Sequence, residues 1–180
     1  MWSERSYHVR SQQEKNFQEA TMKKVLIAID DSKDALKAAD YAGQYFAGSN
    51  DLKLTLVHVL PNLPAIFWDE GHFLSEDEKK DRKKVVDKWL ADRKAHMEPV
   101  FKKAIDMLTG KGIKPQQIQT KSISDSTDVA ESILEEAKDG GYQTIIIGRR
   151  GRAEGKHSII GNVANKIVNE GSGMAITVVE

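Results

Sequence analysis

The chain has 180 residues with 27 basic and 27 acidic side chains, a formal net charge of zero, which argues against nucleic acid or another polyanion as its principal partner. It contains no cysteine, which excludes disulfides, thiol catalysis and thiolate metal sites. The length suits one domain with a sizeable core, no apolar run approaches the roughly 20 residues that span a bilayer, and without an apolar signal core at its start the chain is expected to be cytoplasmic.

Residues 1–21 are polar and mixed in charge, with Trp2, Tyr7, Val9 and Phe17 scattered among them. They read as a flexible N-terminal extension or a partner-binding arm, residues 11–20 as a short helix with a thin apolar face, and the domain proper as 22–180. Residues 25–29 are a first strand ending in Asp30-Asp31-Ser32. Ala35, Leu36, Ala38, Ala39, Ala42, Tyr45 and Phe46 then follow helical spacing behind a Ser32 or Asp31 cap. No glycine separates that strand from its helix, so the dinucleotide fingerprint G-x-G-x-x-G is absent. Residues 52–60 are a second strand, and 61–75 a loop with an apolar Ile66-Phe67-Trp68 that reads as a lid or as packing for the next helix. A long helix should run from 76 to about 108 with Val85, Val86, Trp89, Leu90, Met97, Val100, Phe101, Ala104, Ile105 and Leu108 as its buried stripe. Pro99 should kink or break it near residues 95–99.

The more polar residues 118–124 suit a strand at a sheet edge. A helix from about 129, capped from Ser124-Asp125-Ser126-Thr127-Asp128, ends at Gly140-Gly141. The strand 144–147 is a β-branched run of the kind buried on both faces. After it, glycines at 148, 151 and 161 give G-x2-G-x9-G, followed by Val163, Ala164, Ile167 and Val168 on one helical face. Glycines admit close backbone approach, and a helix start presents unpaired N–H groups and a positive dipole end. With Arg149, Arg150, Arg152 and Lys156 nearby, the segment reads as an anion site, most naturally for phosphates. Asn162, next to the last glycine, suits a helix cap. Residues 174–179 form the last strand. Five alternations of strand and helix predict an α/β fold with one parallel sheet.

The G-x2-G-x9-G loop between a hydrophobic strand and a helix resembles the nucleotide loop of the universal stress protein family, although Asn162 stands where that family usually has Ser or Thr. The resemblance covers about residues 22–180. It implies a single five-stranded parallel sheet in the order 3-2-1-4-5, Rossmann-like and adenine nucleotide alpha hydrolase-like. It also implies an adenine-nucleotide site made by Ala28, Asp30, Ser32, Val59, Gly148, Arg149, Gly151, Gly161, Asn162 and Val163, which would take ATP, with Mg held through the phosphates rather than by protein ligands. In this order the switch point falls between the first and fourth strands, where ligands of open α/β sheets bind. A homodimer through strand 174–179, whose edge carries no charge or proline, is implied as well.

Other chemistries find no support. The Gly151–Lys156 spacing is one residue short of a P-loop, no G-x-S-x-G elbow occurs, and the histidines show no i, i+4 pair for zinc. The expectation is a nucleotide-binding regulatory protein in stress response, at most slow in ATP hydrolysis and without assignable catalytic residues. The alternative is an interaction module of the same fold that has lost nucleotide binding.

Overall fold

A computed structural model describes residues 22–60, 76–124, 126–151 and 159–180. The N-terminal extension, the 61–75 loop with its aromatics, Asp125, Arg152 and Lys156 lie outside the described residues. Strands Lys23–Ala28 (β1), Leu52–Val59 (β2), Ile118–Ile123 (β3), Thr144–Gly148 (β4) and Ala175–Val179 (β5) pair in the order β3-β2-β1-β4-β5, every pair parallel. The expected fold class and order are therefore those observed. Helices Lys33–Tyr45 (α1), Glu76–Gly110 (α2), Val129–Asp139 (α3) and Asn162–Glu170 (α4) connect them, with a 3-10 turn at Pro115–Gln117 before β3.

Side-chain alternation along the central strands divides the core in two. Val25, Ile27, Leu54, Leu56 and Ile146 face α1 and α2, where Ala35, Ala38, Ala42, Met97, Phe101, Ala104 and Leu108 close on them. Leu26, Ala28, Val57, Val59, Ile145 and Ile147 face α3 and α4, against Ala130, Ile133, Ala137, Ala164 and Ile167. Each such aliphatic side chain contributes roughly 1.5–3 kcal/mol when fully buried, so the sheet's middle strands anchor both layers.

The alanine face of α1 lets that helix sit close to the sheet, and β4 ends in a glycine for the same reason. A Cβ at Gly148 would lie 2.5 Å from the backbone carbon of Asp34 and 2.8 Å from the nitrogen of Ala35. Only a residue without a side chain fits between β4 and the first turn of α1.

The long helix differs from expectation in two ways. It is not broken at Pro99; the proline removes one N–H from the ladder, and Met97, Phe101, Ala104 and Leu108 pack on the sheet from both sides of it. The buried stripe also begins later than periodicity alone implies. Met97 is 3% exposed whereas Val85 is 52% exposed, and Val86, Trp89 and Leu90 are half-buried. Thirty-five residues make a helix about 52 Å long, whereas the eight residues of β2 span about 26 Å. The first half of α2 has no sheet beneath it and overhangs the carboxyl edge.

Candidate functional site

The strand order reverses between β1 and β4, and at that point a cavity of about 350 Å³ opens at the carboxyl edge of the sheet. This volume lies at the lower end of the range for small-molecule sites. Ala28, Val59, Val129, Ile133, Ile147, Val163 and Ala164 give it an apolar wall on the α3/α4 side. Ile29, Asp31, Ala35, His58, Arg93, His96 and Met97 line it on the α1/α2 side. The cavity thus passes over the sheet edge and draws on both layers.

Local chemistry fixes the β1–α1 turn. Asp30 Oδ1 accepts the Ser32 N–H at 3.0 Å, and Ser32 Oγ caps α1 by accepting the Ala35 N–H at 3.1 Å. The other Asp30 oxygen faces Gly151, where an added Cβ would lie 3.2 Å from it. The end of β1 and the start of the glycine loop are therefore in contact across the cavity mouth, as the switch-point argument requires. His58 Nδ1 donates to the Ile29 carbonyl at 2.8 Å, since a carbonyl can only accept.

Of the residues expected at the site, Ala28, Asp30, Ser32, Val59, Gly148, Gly151 and Val163 line the cavity, whereas Arg149, Gly161 and Asn162 do not. Arg149 is the clearest departure. Its backbone N–H continues the β4–β5 pairing by donating to Val179, and its guanidinium forms an ion pair with Glu180. Arg150 occupies the cavity wall instead, with its Nε 3.7 Å from Asp34 Oδ2. The physical reason is the ladder: the extra paired residue after Gly148 carries Arg149 toward β5, and the chain turns inward only afterwards.

Gly161 shapes the far end of the loop rather than the wall. Its N–H donates to the Arg149 carbonyl at 2.8 Å, closing the loop at its base, and its carbonyl accepts from Asn165 at 2.7 Å. It is Gly161, not Asn162, that occupies the N-cap of α4, at φ −72° and ψ 157° and without a side-chain cap bond. Asn162 is the first helical residue, so the capping role expected of it is corrected. A cap side chain is absent where the helix start meets the cavity through Val163 and Ala164.

Arg93, His96 and Met97 of α2 and Val129 and Ile133 of α3 are site-lining residues that sequence reasoning did not select, and Arg150, expected only as a charge near the loop, joins them. A signal for the first three exists. The apolar stripe of α2 continues through Met97 into Arg93 and His96, so polar residues succeed apolar ones on the same face just as the helix clears the core. His96 Nε2 stands 3.6 Å from Asp31 Oδ2. Among the described residues no group of three or more His, Asp or Glu is placed to hold a metal ion, and no helix is long and apolar enough to cross a membrane.

A family model described as the universal stress protein family matches residues 21–178. The universal stress protein YxiE of Bacillus subtilis (strain 168) is 26% identical over 151 residues, 80% of this chain and 90% of that protein. Among solved structures, the hypothetical protein MJ0577, studied as a structure-based assignment of biochemical function, matches with a TM-score of 0.62 at 21% identity, covering 88% of this chain and 96% of its own. A universal stress protein in complex with cAMP matches with a TM-score of 0.58 at 18% identity, over 89% of this chain and 98% of its own. At these identities the structural likenesses carry the fold.

Proposed function

This chain belongs to the universal stress protein family, and from that footing we propose that it is a cytoplasmic regulatory protein that binds ATP in the switch-point cavity and signals its occupancy to partners. The observation that carries this reading is the meeting of Asp30 with Gly151 across the mouth of a cavity that has an apolar wall. A purine fits the apolar α3/α4 side. Phosphates fit the start of α4, where the dipole and main-chain N–H groups favour an anion. The cAMP complex of a structural neighbour supports an adenine nucleotide as the ligand class. In this reading Mg arrives on the phosphates, no side chain is assigned a catalytic role, and the protein acts as a homodimer through β5. The competing reading, a same-fold interaction module without a ligand, draws on Asn162 standing in place of the family's hydroxyl residue.

Two measurements separate them. Heat-denatured purified protein should release adenine nucleotide that elutes on anion exchange, or the refilled protein should bind ATP in calorimetry. The Gly161→Asp variant sets a like charge at the start of α4. It should weaken ATP binding about tenfold or more, given the strength of charge-assisted hydrogen bonds to phosphate. A wild-type protein that neither carries nor takes up nucleotide favours the interaction module.

A further inference from the structure

Among the described residues, the α2 side of the cavity, which has no part in the glycine loop, brings a fixed cation of its own, Arg93. Arg93 and His96, one turn apart on α2, line the same cavity as Arg150 beyond β4. Arg93 sits over the Trp89 ring, 5.3 Å from its centroid. An indole face holds a guanidinium in place while leaving its N–H edge available, and arginine stays charged throughout the accessible pH range. The acids beside this wall already have partners. Asp31 faces His96 at 3.6 Å, and Asp34 is shared between Lys37 at 3.2 Å and Arg150 at 3.7 Å. A separation of 3.7 Å exceeds hydrogen-bonding distance, so Arg150 Nε is attracted to Asp34 without a hydrogen bond to it.

Two planar cations on one small cavity match a ligand with several anionic groups, because each guanidinium can present a two-pronged donor to a phosphate. A nucleoside on the apolar side offers nothing to them. We propose that Arg93 binds the distal phosphates of the nucleotide, with Arg150 as its counterpart, so that α2 makes the site selective for nucleoside di- and triphosphates over monophosphates. This rests on the adenine-nucleotide reading above and names the ligand's charge state within it.

The test is calorimetry of ATP, ADP and AMP on the wild-type protein, on Arg93→Gln and on Lys94→Gln, a neighbouring exposed cation that does not line the cavity. The wild type should prefer ATP to AMP by about tenfold or more, the usual effect of a charged hydrogen bond. Arg93→Gln should remove most of that preference by weakening ATP while leaving AMP unchanged, and Lys94→Gln should behave as the wild type. Arg93→Lys, which keeps the charge but not the fork, should recover part of the preference. An unchanged ATP affinity in Arg93→Gln overturns the proposal, as does an equal loss for ATP and AMP, which would make Arg93 a contact of the nucleoside. Failure of the wild type to bind any of the three rejects the nucleotide site itself.

Discussion

At the scale of single residues, glycines that look alike in sequence have different work. Gly148 is held between β4 and α1, where an added Cβ would press on the backbone of Asp34 and Ala35 at 2.5–2.8 Å. Main chain cannot yield as a side-chain tip can, so Gly148→Ala should cost about 1–3 kcal/mol, the usual range for overpacking, and lower the melting temperature. At Gly151 the nearest neighbour of an added Cβ is a single carboxylate oxygen of Asp30 at 3.2 Å. Gly151→Ala should therefore melt within about 0.5 kcal/mol of the wild type, as surface substitutions do, yet bind ATP more weakly because Asp30 is pushed into the mouth. Thermal melts and calorimetry on the two variants check this; equal loss of stability in both would mean that Gly151, too, serves only the fold. The arginines show a similar division, with Arg149 tied to Glu180 and Arg150 turned into the cavity.

Among the elements, β5 is the one whose surroundings bear on assembly. It pairs with β4, and its other edge is the last of the sheet. In a parallel ladder alternate residues direct both backbone groups to the same neighbour. Ala175 donates to Gln143 and Val179 accepts from Arg149, so Ala175, Thr177 and Val179 face β4, while Ile176 and Val178 direct their backbone outward. A proline at Thr177 would cut the sheet from within. One at Val178 removes an outward donor and spares the internal ladder. If the homodimer forms through this edge, Val178→Pro should sediment as a monomer at concentrations where the wild type is a dimer, with far-UV circular dichroism retained. A dimeric proline variant, or a wild type monomeric at tens of micromolar, rejects the interface. β3, the opposite edge, carries Gln119, Thr120 and Lys121 on exposed positions, a composition that discourages pairing.

For the molecule as a whole, stability depends on links between its layers. Asp128 caps α3 by accepting the Glu131 N–H at 3.0 Å and reaches α4 through Lys166 at 2.9 Å. The backbone N–H of Glu131 first, and Lys166 after it, hold the Asp128 carboxyl below its ordinary value. A depressed carboxylate contributes stability above its unfolded value of about 3.9, and that contribution is lost as pH falls through the lower folded value. Asp128→Ala should therefore cost about 0.5–2 kcal/mol at neutral pH, as cap removal does, and the gap from the wild type should close below about pH 4. Melting curves from pH 7 to pH 2.5 test it; a gap that persists at the acid end would assign the loss to packing instead. The sequence by itself determined the alternation of strands and helices, because burial on both faces writes an uninterrupted apolar run such as Ile145-Ile146-Ile147 and helix periodicity writes the alanine face of α1. It also marked the glycine loop and Asp30, since backbone approach and capping demand particular residue types within a few positions. Only the tertiary structure decided that Arg150 rather than Arg149 enters the cavity, that Gly161 rather than Asn162 caps α4, and that Arg93 and His96 form a wall. Those outcomes depend on how far the β4–β5 ladder runs and how far α2 outreaches the sheet, lengths set by elements distant in the chain and invisible to any local pattern.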